Sequence, residues 1–215
     1  MWTLTVQEYL ALSRWMRIVY RVYRNPFFLF LLAPLYVFFI QNRFWGPGDN
    51  TRARWSAMRT NLALACIVTA ASLTIGIKAY LMIQLPIIIL AISIGVWLFY
   101  VQHQFEDTYW ERHENWSFVR QALEGASFYK LPRVLQWFSG NIGFHHIHHL
   151  SPRIPNYNLQ KCHESHPMFQ SVRQLTLWTS LKSLGYRLWD EDHKKLVGFD
   201  YLPVYLNKQA IPDSQ

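Results

Sequence analysis

Residues 62–101 read LALACIVTAASLTIGIKAYLMIQLPIIILAISIGVWLFYV, and Lys78 is the only charge in these forty positions. A helix needs about 20 apolar residues to cross a bilayer, so the run is too long for one span and suits two. Its weakest point lies between Lys78-Ala79-Tyr80 and Gln84-Leu85-Pro86. The expected spans are therefore near 61–79 and 85–102, joined by a short turn. A hairpin of this kind returns both ends to one side of the membrane. Arg43, Arg52, Arg54 and Arg59 precede it, and such basic loops stay cytoplasmic. The loop 43–59 and everything after the hairpin are thus expected on the cytoplasmic face.

Outward from the hairpin toward the N-terminus, residues 26–40 are free of charge but hold Pro34 in their middle. They are too short for a full span, and arginines flank both ends, so 26–41 is expected to be re-entrant. Asn25-Pro26 separates it from residues 6–24, which read as one amphipathic helix. There Arg14, Arg17, Arg21 and Arg24 form a basic stripe suited to lipid headgroups. Met1 to Val6 lacks the basic start and apolar core of a secretory signal.

Composition agrees with a membrane protein. Of 215 residues, 51% are hydrophobic and 17% aromatic, with a net charge of +8. A basic balance suits nucleic acid or an anionic membrane face; the apolar run decides for the membrane, and no nucleic-acid partner is expected. Cys66 and Cys162 make neither a disulfide framework nor a zinc motif. There is no phosphate-binding glycine loop and no serine hydrolase elbow.

Toward the C-terminus, the second span is expected to continue as helix, placing His103, Glu106, Asp107, Trp110, His113 and Glu114 on one face just beyond the membrane. Further on stands Gly140-Asn141-Ile142-Gly143-Phe144-His145-His146-Ile147-His148-His149-Leu150. On a helix, His145, His148 and His149 leave one face at i, i+3 and i+4. Imidazoles with carboxylates nearby suit non-haem iron, and structural zinc ordinarily recruits cysteine. A metal held at the rim of a membrane hairpin would meet the apolar tail of a lipid.

Between and after these clusters, 123–128 and 131–138 are expected as interfacial helix, with Pro132 at a helix start. Residues 151–159 should be extended. His163-Glu164-Ser165-His166 resembles a metal motif at i, i+3, but a helix-entry turn before Pro167 is the preferred reading, and 168–184 should be one amphipathic helix. The tail 186–215 is expected at the surface, including Trp189 to His193.

The segment His145-His146-Ile147-His148-His149 resembles the third histidine box, HxxHH, of membrane fatty acid desaturases. Its flanks, 140–144 and 150–159, and the segment Val101 to Trp110 resemble the bacterial acyl-lipid branch related to the delta-12 (omega-6) enzymes. The resemblance covers nearly the whole chain. It implies an all-α integral membrane fold in one domain, 1–215, with a transmembrane helical hairpin, a re-entrant segment and a cytoplasmic histidine-rich helical cap over 103–215. It implies a non-haem di-iron centre that uses O2 to introduce a double bond into a lipid acyl chain, with electrons from a ferredoxin or cytochrome b5 type donor. On that resemblance His145, His148 and His149 are iron ligands and His103 an additional one. Glu106 and Asp107 would orient imidazoles, and His146 falls outside the HxxHH pattern.

The family has two further boxes ahead of this region, yet no histidine precedes His103. The chain is accordingly expected to be a partial, inactive desaturase in a bacterial inner membrane, its remaining ligands coming from an N-terminal half. The alternatives are a related di-iron hydroxylase and a non-catalytic metal-binding membrane protein.

Overall fold

The structure, a computed structural model, describes residues 2–46 and 48–210, without the side chains of His113, Gln209 and Ala210. The chain is mostly helical. In order it forms β1 (Leu4–Thr5), α1 (Val6–Ala11), α2 (Arg14–Tyr23), a π-helical turn (Phe28–Leu32) and α3 (Ala33–Phe39). Two long helices follow, α4 (Thr51–Thr74) and α5 (Ile77–His103). The remainder is a succession of short elements: α6 (Phe118–Leu123), β2 (Phe128–Tyr129), α7 (Arg133–Phe138), α8 (His145–Leu150), α9 (Leu159–Glu164), α10 (Pro167–Gln170), β3 (Gln174–Leu175), α11 (Leu177–Ser180), β4 (Leu188–Asp190), β5 (Lys195–Val197) and α12 (Leu202–Ala210). Contacts divide the chain into two compact units. One comprises Tyr20–Trp97; the other combines residues up to Val19 with those from Leu98 onward.

In the unit Tyr20–Trp97, both α4 and α5 are long and apolar enough to cross a membrane. Their apolar side chains have almost no protein cover, as with Leu73 at 83% exposure; a lipid environment accounts for that. The break between them is at Ile75-Gly76, not at 78–86 as the sequence reading placed it. Gly76 takes φ +84°, a conformation that costs glycine little and other residues much. Pro86 lies inside α5 instead of starting a helix. The segment expected to be re-entrant forms a π-helical turn leading into α3. Pro34 has no N–H to offer the Phe30 carbonyl four residues back. Ser93 Oγ on α5 donates to that carbonyl at 2.7 Å, and Phe30 packs edge-on against Trp97 at 5.4 Å. In an apolar surrounding a carbonyl needs such a donor.

The other unit contains the strands, which an all-α reading had not foreseen. β1 pairs in parallel with β4, and β4 forms an antiparallel hairpin with β5. β2 and β3 form a separate parallel pair. Several expected helices are divided. Residues 6–24 break at Leu12-Ser13, where Arg17 turns back to donate to the Leu12 carbonyl at 3.1 Å. The break precedes Arg14, so Arg14, Arg17 and Arg21 stay together on α2, but Arg24 just beyond it is fully buried rather than turned to headgroups. Of 123–128 only Leu123 is helical; the helix lies earlier, at α6, while α7 begins directly after Pro132. Residues 168–184 are split because Gln174-Leu175 joins β2, after which Thr176 caps α11 by accepting from Thr179 N.

The tail 186–210 is not all surface. Leu188, Trp189 and Asp190 are buried in β4, and Trp189 packs on Trp110 at 5.6 Å. Asp190 accepts from Asp192 N (3.0 Å), His193 N (3.3 Å) and His193 Nδ1 (2.9 Å), which closes the hairpin turn. Burial raises its pKa, but hydrogen bonds from Tyr201 and His193 and the charge of His193 outweigh that and hold the carboxyl below its usual range. Residues 211–215 lie outside the described ones.

Two outcomes follow from these contacts. Ser93→Ala should lower stability in mixed detergent micelles by about 0.5–2 kcal/mol, measured by reversible denaturation. Asp190→Asn should cost about 1–3 kcal/mol. Because the folded pKa of Asp190 is depressed, its contribution is complete above the unfolded value near about 3.9 and declines as pH falls through the lower folded value. The native-minus-mutant stability difference, followed by circular dichroism below about pH 4, should shrink accordingly.

Candidate metal centre

The site is built where α5 ends. Ser127 N donates to the Gln102 carbonyl at 3.0 Å, and His103 Nδ1 stands 2.8 Å from the Gly125 carbonyl. These bonds lay 125–127 along the last turn of α5. The next residues form β2, where Tyr129 N donates to Gly143 O at 2.8 Å and Phe128 stacks on Phe144 at 4.7 Å. Gly143 is required here: a Cβ would collide with the Tyr129 carbonyl and the Gln136 amide. Gly140 and Asn141 take φ +61° and +59°, turning the chain into α8, and Asn141 Nδ2 holds the Asn156 carbonyl at 3.0 Å. Thus the helix end, β2 and α8 are tied in sequence, and His103 meets the histidine run.

Three Nε2 atoms converge. His103 is 3.0 Å from His145 and 3.1 Å from His149, and His145 and His149 are 3.1 Å apart. His148 is not in this group. Its ring stacks beside His145 at 5.7 Å. On a helix i and i+4 lie 40° apart while i+3 falls 60° to the other side, so His145 and His149 share an aim that His148 does not.

Glu106 and Asp107 lie elsewhere. The helix stops at His103, so the expected single face through 106, 107, 110 and 114 does not exist; the His113 side chain lies outside the described residues. Glu106 is near Lys195 (3.8 Å) and Asp107 near Arg173 (3.5 Å). The group that orients His103 is the Gly125 carbonyl. His146 is fully buried, with Nε2 3.0 Å from Nδ1 of His163. Of the two readings of His163 to His166, neither a metal motif at i, i+3 nor a helix-entry turn anticipates this contact of His163 with His146. His166 does make that turn, its Nδ1 accepting from Met168 N. The available signal was Leu159 and His163 at i, i+4 on the buried side of α9.

Burial drives the His145 pKa down to about 2, helped by the neighbouring charges of His103, His149, His148 and His146. Burial, then His103 and His148, bring His149 to about 4. Both rings are therefore neutral near pH 7, the form that ligates metal. The His103 Nδ1 proton donates to Gly125 O, which leaves its Nε2 lone pair directed at the other two. Three facing nitrogens at 3.0–3.1 Å cannot all be satisfied by protons among themselves, while His145 Nδ1 is buried with no hydrogen-bond partner. Nitrogens on one face of an octahedron at a ligand distance of about 2.1 Å would stand about 3.0 Å apart. The residues fit a cation. Beside them opens a pocket of about 330 Å³, with Phe99, Tyr109 and Trp110 in its wall.

Two helices long and apolar enough to cross a membrane, with a partly buried trihistidine group that could hold a metal ion, define the class: a helical membrane-type protein with a candidate metal centre. The sequence model of the fatty acid desaturase family matches residues 4–179. A fatty acid desaturase of Bacillus subtilis (strain 168) is 53% identical over 217 residues, which cover 100% of this chain and 61% of that protein. A chloroplastic omega-6 fatty acid desaturase of Brassica napus is 22% identical over 72% of this chain and 39% of its own length. The chain belongs to the fatty acid desaturase family, and it spans less than two thirds of the length of each of these relatives.

Geometry separates His149 from His148. With Co(II) as probe, titrated into the chain in detergent, His149→Ala should weaken binding at least about 100-fold and His148→Ala by less than about 10-fold. Equal losses would show that the three-nitrogen group is not the binding set.

Proposed function

We propose that this chain supplies part of a non-haem di-iron centre that desaturates lipid acyl chains with O2. The observation that carries it is the convergence of His103, His145 and His149 in a desaturase-family chain. Those three residues would hold one iron. His148, turned aside, would serve the second iron, whose other ligands lie beyond this cluster. Bound iron supplies the oxygen activation needed to attack an unactivated C–H bond.

The chain's own residues prepare the place. Gly125 holds the His103 proton on Nδ1, and burial keeps His145 and His149 uncharged. Phe99, Tyr109 and Trp110 give the adjoining pocket an apolar wall suited to an acyl chain, which would exclude water from the reacting carbons. The basic loop before α4 favours a cytoplasmic site in a bacterial inner membrane, within reach of a ferredoxin or cytochrome b5 type donor.

Three imidazoles with His148 are too few to complete two iron sites. Residues 1–215 expressed in bacterial membranes should therefore bind no more than one iron per chain and form no new double bonds. Metal analysis and mass spectrometry of the lipids check this. Two irons with a desaturated product would defeat the ligand count. A hydroxylated product would favour the related oxygenases, and stable metal with no oxygen consumption a non-catalytic role.

A further inference from the structure

α8 has only six residues, and no side chain caps its N-terminus. A helix that short is not stable by itself, so its aim is set by what it packs against. His145 and His149 leave one face toward His103, while His146 and Ile147 leave toward the interior and are fully buried. Ile147 joins Phe144 and Leu159 in an apolar cluster. Apolar contact is non-directional and tolerates a range of helix rotations. The directional contact on this face is the 3.0 Å bond between His146 Nε2 and His163 Nδ1. One proton fits between those nitrogens, so one ring donates and the other accepts. The His163 ring is itself fixed, lying 4.8 Å from Phe128 and 5.2 Å from Phe144.

We propose that His146 and His163 are a positioning pair for the metal centre: the α8–α9 bond sets the rotation of α8 and hence the aim of His145 and His149 at His103. This rests on the trihistidine group being a metal site. The required accuracy makes the role necessary. At about 6 Å from a helix axis, a 10° rotation moves a ligand nitrogen by about 1 Å, whereas ligand distances hold to about 0.2 Å. The pair lies outside the converging group and acts only through it.

The test uses the full chain in detergent with Co(II) as the probe. His163→Leu keeps an apolar filling among the phenylalanines but removes the bond; His163→Asn returns a polar atom near Nδ1. H163L is expected to bind cobalt about 10-fold or more weakly and to shift its ligand-field absorption bands, while H163N stays within about 3-fold of native with bands in place. Unfolding midpoints are measured alongside, since a purely structural role lowers the midpoint and leaves the bands unmoved. Native affinity and bands in H163L overturn the positioning role. If H163L does not fold, His163→Gln, which displaces the polar atom from the Nδ1 position, should shift the bands, and unshifted bands overturn the role equally. His145→Ala separates the two layers. Cobalt bound equally by native and H145A, or by neither, overturns the metal reading of the group and the positioning role with it.

Discussion

The hydrogen bond between His103 Nδ1 and the Gly125 carbonyl is the joint on which the site depends. It does two things. It ties the last residue of a membrane-length helix to the strand-forming segment that follows, and it chooses the tautomer whose Nε2 lone pair faces outward. With the neighbouring bond from Ser127 N to Gln102 O, it fixes where β2 starts. Because Tyr129 N then holds Gly143 O, the position of α8 is inherited from the end of α5 through two short backbone ties. Gly143 permits the close approach, having no Cβ to meet the Tyr129 carbonyl.

A second constraint is charge. Three imidazoles in mutual contact cannot become cationic together without strong repulsion, and burial removes the water that would screen it. His145 and His149 are held neutral first by burial itself, which disfavours the charged ring, and then by this repulsion. The same burial that makes the cluster poor at accepting protons makes it suited to accepting a metal. The carboxylates that flank it in sequence do not compensate the rings, since Glu106 and Asp107 are engaged near Lys195 and Arg173. Any positive charge bound there would be met by neutral nitrogen donors and, beyond them, by backbone carbonyl.

Two backbone irregularities lie where the sequence places proline or glycine among apolar residues, and each is answered by a specific partner or conformation. Pro34 deprives the Phe30 carbonyl of its helical donor, and Ser93 replaces it. Gly76 turns the chain between the two long helices by adopting positive φ. Neither feature contradicts the apolar patterning; both show it being reconciled with the need to satisfy backbone groups away from water.

Patterning local to the chain was legible. Forty nearly uncharged residues imply two membrane-length helices whatever surrounds them, and His145 to Leu150 is helical as its spacing indicates. The family resemblance rested on the same local string, and the match over residues 4–179 agrees with it. The turn between the long helices was misplaced because Lys78 and Pro86 look like breakers, yet a helix in lipid absorbs both while Gly76 takes the turn. Which imidazoles converge was a different kind of question. Helical spacing offers His148 and His149 equally as neighbours of His145; only the approach of His103, 42 residues away, selects His149. His163 gained its partner in the same way, through the packing of α9 on α8. The strands β1 to β5 are two or three residues long, too short for alternation to register in sequence, and exist because distant backbone edges meet. Periodicity reports which residues share a face of one element, since that is a local property of the helix. Which faces meet is set by long-range backbone bonds and by the absence of side chains at points of close approach, and those the fold alone decides.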